Sequence, residues 1–132
     1  MIVVDTDALS NYLRQRAPWR DRVAAEIPRG AAATTSINAY ELRSWRLSKR
    51  AEGQVLSLLD ELAIFEVDTA AARRASDVQR HLELGGAPLA TPDLLIAGVF
   101  LARGLPLLTG NARNFSRVRG LSLVDLENQR SS

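Results

Sequence analysis

The feature that most constrains the fold is the apolar run Ile2-Val3-Val4 near the N-terminus. Its β-branched residues do not alternate with polar ones, which is typical of a strand buried on both faces of a sheet. The run ends at two acids, Asp5 and Asp7, and an amphipathic segment follows at once. Parallel sheets place ligand sites where strands end and helices begin. Asp5 is therefore a candidate site residue. Either acid could instead only cap the following helix, and for Asp7 both interpretations stay open.

The rest of the chain alternates between helical and extended patterns, which predicts one α/β domain with a mostly parallel sheet covered by helices on both faces. The predicted strands are 2–4, 31–35, 63–67, 105–108 and 121–124. The predicted helices are about 7–16, 18–27, 37–49, 51–62, 69–84 and 92–103. Ser36 is the predicted cap of 37–49, Thr69 that of the helix reaching residue 84, and Thr91 that of 92–103. Residues 109–111 are predicted as a turn, and a polar tail covers 126–132. The length of 132 residues fits a single domain.

The residue inventory excludes several kinds of site. The absence of cysteine excludes disulfides, thiolate metal ligands and a cysteine nucleophile. His81 is the only histidine, which excludes a metal site built from several histidines. A metal would be held by oxygen atoms, which favours Mg²⁺ or Mn²⁺ over zinc. No apolar stretch approaches the roughly 20 residues of a membrane helix, and the N-terminus lacks a secretory-signal pattern, so we expect a cytoplasmic protein.

The basic side chains are almost all arginines, since Lys49 is the only lysine among 17 lysine and arginine residues. Arginine binds phosphate through a planar, bidentate fork, which favours a nucleic-acid partner. A general preference for arginine codons would give the same composition. The arginine content alone therefore indicates RNA or DNA binding only weakly.

Glu41 lies on the predicted helix that follows Ser36. At about 100° per residue it shares an arc with apolar and aromatic positions, Ile37, Tyr40 and Trp45. A buried carboxylate costs several kcal/mol unless it has a partner or a metal. The alternative is a rim position, from which Glu41 reaches water or an arginine.

Asp93 begins a predicted helix that is apolar nearly all round, which is typical of a central, buried helix. The first turn of a helix favours an anion, so Asp93 could simply stabilise that helix. Asn111 follows the predicted strand 105–108, whose carboxyl end shares a sheet edge with Asp5. The side chain of Asn111 could bind a metal, or the residue could be there only because asparagine tolerates the left-handed backbone of a turn. Three converging carboxylates repel each other, and a cation relieves that repulsion, so the sequence favours a site for a divalent ion.

Four segments resemble the PIN domain and, within it, the VapC-type toxins of bacterial toxin–antitoxin pairs. In chain order they are IVVDTDALSNYL, TSINAYELRSW, ATPDLLIAGVFLARGLPLLTGNARNF and GLSLVDL. The resemblance covers essentially the whole chain. It implies a three-layer sandwich, in which a small and mostly parallel sheet is flanked by helices. It also implies an endoribonuclease dependent on Mg²⁺ or Mn²⁺, a cognate antitoxin as protein partner, and a homodimer.

The resemblance also assigns roles to individual residues. Asp5, Glu41 and Asp93 match the family's acidic metal-binding positions, where catalysis is expected, and Asn111 is a further candidate ligand. Family members often have an acidic residue at the position of Asn111 or of Asn114. Because both residues are asparagine here, it stays open whether one metal binds or two. Other polar side chains are expected to contact water or phosphate: Thr6, Asp7, Ser36, Thr109 and Asn114. Two arginines are candidate RNA contacts: Arg113 and Arg117. The implied reaction is hydrolysis of an RNA phosphodiester by a metal-activated water.

Two other functions fit part of the sequence. The segment VVDTD also resembles the start of haloacid-dehalogenase-type phosphatases, which need a distal catalytic lysine. Lys49 is predicted on the face of the Glu41 helix that carries Arg43 and Arg46, which is opposite the apolar arc and away from the acids. Alternatively, a PIN fold with a neutral residue at Asn111 could bind RNA or a protein without cleaving it. Metal-dependent RNA cleavage, compared between the native protein and Asp5→Asn, distinguishes these functions.

Overall fold

The central sheet has four parallel strands in the order β3-β2-β1-β4 in a computed structural model that describes residues 1–126. The strands are β1 (Ile2–Val4), β2 (Ala32–Thr35), β3 (Ala63–Phe65) and β4 (Leu107–Leu108). Val3 pairs with Ala33 on one side and with Leu107 on the other, so β1 lies inside the sheet. The predicted α/β fold with a parallel sheet is confirmed.

Helices cover both faces of this sheet. They are α1 (Thr6–Leu13), α2 (Trp19–Glu26), α3 (Ser36–Ser44), α4 (Lys49–Glu61), α5 (Thr69–Leu84), α6 (Thr91–Arg103) and α7 (Ala112–Phe115). Ile2 and Val4 pack in one apolar cluster with residues of α1, α2 and α4, whereas Val3 packs in a second cluster with α5, α6 and Phe115. Successive residues of a strand point to opposite faces, so β1 contributes to both layers of the core. Within residues 1–126, no helix is long and apolar enough to cross a membrane.

The helix α6 is central, as its apolar sequence predicts. Six of its residues are buried, from Leu94 to Phe100 with the exception of Leu95. It packs against α5 at Gly98, where a Cβ atom would lie 2.2 Å from the carbonyl oxygen of Ala71. Only glycine allows this close approach of two helix backbones.

Three helix caps differ from the prediction by one residue. Thr35, Asp68 and Ala90 precede the helices, whereas Ser36, Thr69 and Thr91 were expected there. The physical reason lies in the residue before each predicted cap, which already has an extended backbone. Two of these residues also accept a hydrogen bond from a backbone amide of the first turn.

Several boundaries also differ. Helix α1 ends at Leu13, not near residue 16, and the left-handed backbone of Gln15 (φ 60°) cannot continue a helix. Helix α3 ends at Ser44 because Trp45 is extended, so Lys49 begins α4 instead of lying on the Glu41 helix. The predicted strand 121–124 is reduced to one bridge between residues 123 and 107, and α7 was not predicted. Most of the predicted polar tail, 127–132, lies outside the described residues.

Candidate metal centre

Four acidic residues line one cleft at the carboxyl end of β1: Asp5, Asp7, Glu41 and Asp93. The cleft has a volume of about 160 Å³ and is completed by Thr6, Asn38, Trp45, Ile96, Asn111 and Phe115. The acids come from the starts of α1 and α6 and from the middle of α3. Among the described residues no lysine or arginine lines the cleft, so its carboxylates have no neighbouring cationic side chain within it. The cleft thus contains all three carboxylates that the sequence analysis considered together, Asp5, Glu41 and Asp93.

Asp5 is held at the bottom of this cleft and is only 4% exposed. It is the N-cap of α1: its Oδ1 accepts a hydrogen bond of 2.9 Å from the amide of Ala8. Its Oδ2 accepts from the hydroxyl of Thr109. Burial raises the pKa of Asp5 to about 6, although the hydrogen bonds from Thr109 and Ala8 act in the opposite direction. Asp5 thus both caps the helix and lines the cleft.

Thr109 is itself fixed by two hydrogen bonds. Its hydroxyl accepts from the amide of Asn111 at 2.8 Å, which leaves the hydroxyl hydrogen for Asp5. Its carbonyl accepts from the indole Nε1 of Trp19 at 3.0 Å. The loop after β4 is therefore tied to the start of α2. Sequence reasoning missed Trp19, because no local pattern links it to residue 109.

Glu41 is oriented by a chain of side-chain hydrogen bonds. Its Oε1 accepts from the hydroxyl of Thr6 at 2.7 Å, and the Thr6 oxygen accepts from Nδ2 of Asn38 at 3.0 Å. The Oδ1 of Asn38 accepts from the hydroxyl of Thr35 at 2.7 Å. An amide nitrogen only donates, so Asn38 directs the Thr6 hydrogen toward Glu41. Sequence reasoning missed Thr35 and Asn38, which form a capping box readable as a threonine with asparagine three positions later.

The predicted surroundings of Glu41 were wrong. The buried face of α3 carries Asn38, Ala39 and Leu42, whereas Tyr40 is 62% exposed and Trp45 is 39% exposed. Helical periodicity placed the aromatic residues in the core because it ignores which side of α3 meets the sheet. Glu41 itself is half-buried at the edge of that face and reaches the cleft.

Asp93 and Asp7 complete the acidic wall. Asp93 is half-buried in the first turn of α6, and its pKa is raised mainly by burial and further by the negative charges of Glu41 and Asp7. Asp7 is exposed in the first turn of α1, and the cap of that helix is Asp5 instead. The carboxylates of Glu41 and Asp7 thus lie close enough to disfavour the ionisation of Asp93, and a cation would reverse that effect.

The donor set suits a hard divalent cation. The cleft offers carboxylate oxygens and the amide of Asn111, which are ligand types that Mg²⁺ and Mn²⁺ prefer. In residues 1–126, no three acidic or histidine side chains stand close enough together to hold an ion directly. Mg²⁺ usually keeps several waters and binds only one or two carboxylates, so this spacing fits a hydrated ion better than a fully dehydrated one.

The other predicted contacts divide into two groups. Thr6 and Asn111 line the cleft, and Thr109 contacts Asp5. The remaining ones lie outside the cleft: Ser36, Arg113, Asn114 and Arg117. Arg117 donates to Asn114 at 3.3 Å and to the carbonyl of Ala87 at 3.3 Å. Arg117, oriented by Asn114, therefore holds the segment before α6.

Comparison with known proteins finds one matching family, related sequences and structures with a similar fold. The family model of the PIN domain matches residues 2–121. The chain is 30% identical over 127 residues to ribonuclease VapC1 of Methanocaldococcus jannaschii, covering 94% of this chain and 87% of that protein. It is 28% identical over 112 residues to the tRNA(fMet)-specific endonuclease VapC of Shigella flexneri, covering 82% and 85%. The crystal structure of VapBC2 from Rickettsia felis, bound to a promoter DNA fragment, has a similar fold, with a TM-score of 0.81 at 20% identity over 94% of this chain and 98% of that chain.

Proposed function

The chain belongs to the PIN domain family, and on this premise we propose that it is an endoribonuclease that hydrolyses RNA with Mg²⁺ or Mn²⁺ bound in the acidic cleft. One observation carries the proposal: four carboxylates line a cleft in which no described residue supplies a positive charge. The relatives named ribonuclease and endonuclease VapC support the reaction class. The phosphatase alternative lacks its lysine, since Lys49 begins α4 and does not line the cleft.

In this proposal Asp5, Glu41 and Asp93 hold the ion, directly or through its bound waters, with Asn111 as a further oxygen donor. Asp5 keeps a fixed orientation because both of its oxygens accept hydrogen bonds, from Ala8 and from Thr109. A bound Mg²⁺ or Mn²⁺ would acidify a water as the nucleophile and stabilise charge on the leaving oxygen. Burial raises the pKa of Asp5 and of Asp93, so these two carboxylates hold protons more readily in the metal-free cleft, and a bound cation would displace those protons.

We also propose a cognate antitoxin protein as partner and a homodimer as the assembly. The structure with a similar fold from Rickettsia felis is a VapBC complex, which supports the protein partner. An antitoxin that covers the acidic cleft, or that holds its acids apart, would keep the nuclease inactive. Mixing the purified nuclease with the product of an adjacent short reading frame tests this: we expect a stable complex in which RNA cleavage is suppressed.

Removing the metal is expected to stop RNA cleavage. The purified protein, incubated with RNA and Mg²⁺, should give new RNA ends on a denaturing gel, and excess EDTA should abolish them until Mg²⁺ or Mn²⁺ is restored. His81→Ala serves as a control because His81 lies exposed on α5, outside the cleft, and should leave cleavage unchanged. Equal cleavage in EDTA, or full activity of Asp93→Asn, would contradict the assigned metal site.

Thr6→Val is expected to lower kcat by about 10- to 100-fold, the usual effect of losing a side chain that orients a metal ligand. Valine keeps the shape of threonine but cannot donate to Glu41, and it leaves Nδ2 of Asn38 without that acceptor. Thr6→Ser keeps the hydroxyl and should retain most of the activity. Single-turnover cleavage assays compare the three proteins. Equal rates for the valine and serine variants would show that the hydrogen bond has no role in the reaction.

A further inference from the structure

A second cavity lies beside the acidic cleft and shares Trp45 with it. It has a volume of about 340 Å³, within the range of small-molecule sites. It is formed where α3 ends and α4 begins, with buried Leu42 and Val55 among its lining residues. The cavity therefore has an apolar floor and adjoins the acidic cleft at Trp45.

The rim of this second cavity is basic. Arg43 and Arg46 line it and are both exposed, and Glu52 is the acid among the lining residues. Neither arginine forms an ion pair with another side chain in the described part of the chain. The rim thus carries one more positive than negative charge. An apolar floor with free guanidinium groups at the edge matches a ligand that has a flat, apolar face and a phosphate.

Trp45 forms the boundary between the two cavities. Its extended backbone (φ −71°, ψ 147°) ends α3, and its side chain is 39% exposed. An indole face is a sequence-tolerant platform for a nucleobase, and it costs little conformational entropy to use. The ring therefore stands between a cleft that carries the carboxylates and a cavity that carries the arginines.

We infer that Trp45 stacks an unpaired nucleotide of the RNA next to the cleaved bond, while Arg43 and Arg46 bind the adjacent phosphates. The inference rests on the proposed function and names the side chains that would hold its RNA substrate beside the acidic cleft. The acidic cleft has no cationic side chain among its described lining residues, so a polyanion needs positive charge close by, and these arginines supply it. A base must leave its helical stack to lie on an indole, which favours loops or single strands over duplex RNA.

Fluorescence titration tests the contact directly. The chain has two tryptophans, so Trp19→Phe leaves Trp45 as the reporter and Trp45→Phe leaves Trp19. Both are made in an Asp5→Asn background, which is expected to slow cleavage strongly, and are titrated in Mg²⁺ with an unstructured RNA oligonucleotide or a duplex of equal length. We expect RNA to quench the fluorescence of Trp45 but not that of Trp19. The single strand should quench Trp45 at lower concentrations than the duplex does. Equal quenching of both tryptophans, or none of Trp45 at saturating RNA, overturns the inference.

Cleavage kinetics provide the second readout. Trp45→Leu should raise KM for single-stranded RNA about tenfold or more, with the loss in KM rather than in kcat, and Trp45→Phe should lose less because it keeps an aromatic face. Arg43→Ala and Arg46→Ala should raise KM and weaken its salt dependence. Arg29→Ala is the matched control. Arg29 is exposed and precedes β2, so it lies toward the amino end of that strand, whereas the acidic cleft lies at the carboxyl end of the neighbouring strand β1. An unchanged KM in Trp45→Leu overturns the inference.

The outcomes also separate this inference from the proposed function. If the native protein cleaves no RNA but Trp45 is quenched, the proposed nuclease fails and the nucleotide site stands. If cleavage occurs with unchanged KM in Trp45→Leu, the nuclease stands and the nucleotide site fails. If Trp45→Leu dissociates a dimer in size-exclusion chromatography while RNA affinity stays unchanged, the surface is a contact between copies and the inference is wrong.

Discussion

Asp5→Asn is expected to reduce RNA cleavage by about 10²- to 10³-fold or more and, at the same time, to stabilise the metal-free protein. Asparagine removes the negative charge that the proposed metal requires. It caps helices as well as aspartate does, so its Oδ1 can still accept from the amide of Ala8. The fold should therefore survive, and the loss of activity should report on the cleft alone.

The gain in stability follows from the raised pKa of Asp5. Burial raises that pKa from 3.8 to about 6, so the folded protein holds the proton more tightly than the unfolded chain. This contribution is fully present below about pH 4 and is lost as the pH rises through 6. Above pH 6 the ionised Asp5 lowers the free energy of unfolding by up to about 3 kcal/mol. Asparagine resembles the protonated form, and the variant should exceed the native protein by up to that amount at pH 7.5.

Thermal unfolding in EDTA between pH 4 and pH 8 measures this difference. The curves of the native protein and Asp5→Asn should converge near pH 4 and separate as the pH rises, and added Mg²⁺ should stabilise only the native protein. Asp60→Asn is the control, because Asp60 is exposed on α4 and should behave like the native protein. A destabilised Asp5→Asn at pH 7.5 would show that the ionised Asp5 stabilises the fold, which contradicts the expected cost of its burial.

Gly98→Ala is expected to lower the free energy of unfolding by about 1–3 kcal/mol or more. The new Cβ would lie 2.2 Å from the carbonyl oxygen of Ala71 and 3.0 Å from the Cβ of Ala75, so α5 and α6 would have to separate. Asp93 lies in the first turn of α6, so this separation should also displace it and reduce cleavage. Urea unfolding at constant pH measures the stability, and the RNA assay measures the second effect.

The sign of the Gly98 effect makes it diagnostic. Replacing glycine by alanine inside a helix ordinarily stabilises by up to about 1 kcal/mol. Gly53 provides the matched control, because it lies inside α4 and a Cβ there would meet nothing within 4 Å. We expect Gly53→Ala to stabilise the protein and Gly98→Ala to destabilise it. Stabilisation by both substitutions would mean that the two helices do not pack as closely as described.

Local sequence patterns predicted the frame of this protein. The unbroken β-branched run identified β1 as an interior strand, and the all-round apolarity of 92–103 identified α6 as the central helix. The change from β1 to an amphipathic segment identified Asp5 as the residue at the strand end. These predictions succeeded because strand burial, helix periodicity and helix starts depend on residues within a few positions of one another.

The sequence did not reveal which side of α3 faces the sheet. The prediction therefore placed Tyr40 and Trp45 on the buried face, whereas both are exposed. Periodicity gives the spacing of positions on a helix, but the neighbouring elements decide which arc is covered. The same limit applies to Arg117, whose hydrogen bond to Ala87 depends on a segment 30 residues away. An arginine that looks free in sequence is in fact used to hold a loop.

The sequence by itself determined that acids stand at a strand end, in a helix and at a helix start, because those signals are local and chemical. Only the tertiary structure decided which polar atoms meet them. Thr109 and Asp5 are 104 residues apart, and Thr6 and Glu41 are 35 apart, yet each pair forms a hydrogen bond. Such contacts arise when the parallel strands align their carboxyl ends at one edge, and no property of either residue alone encodes its partner.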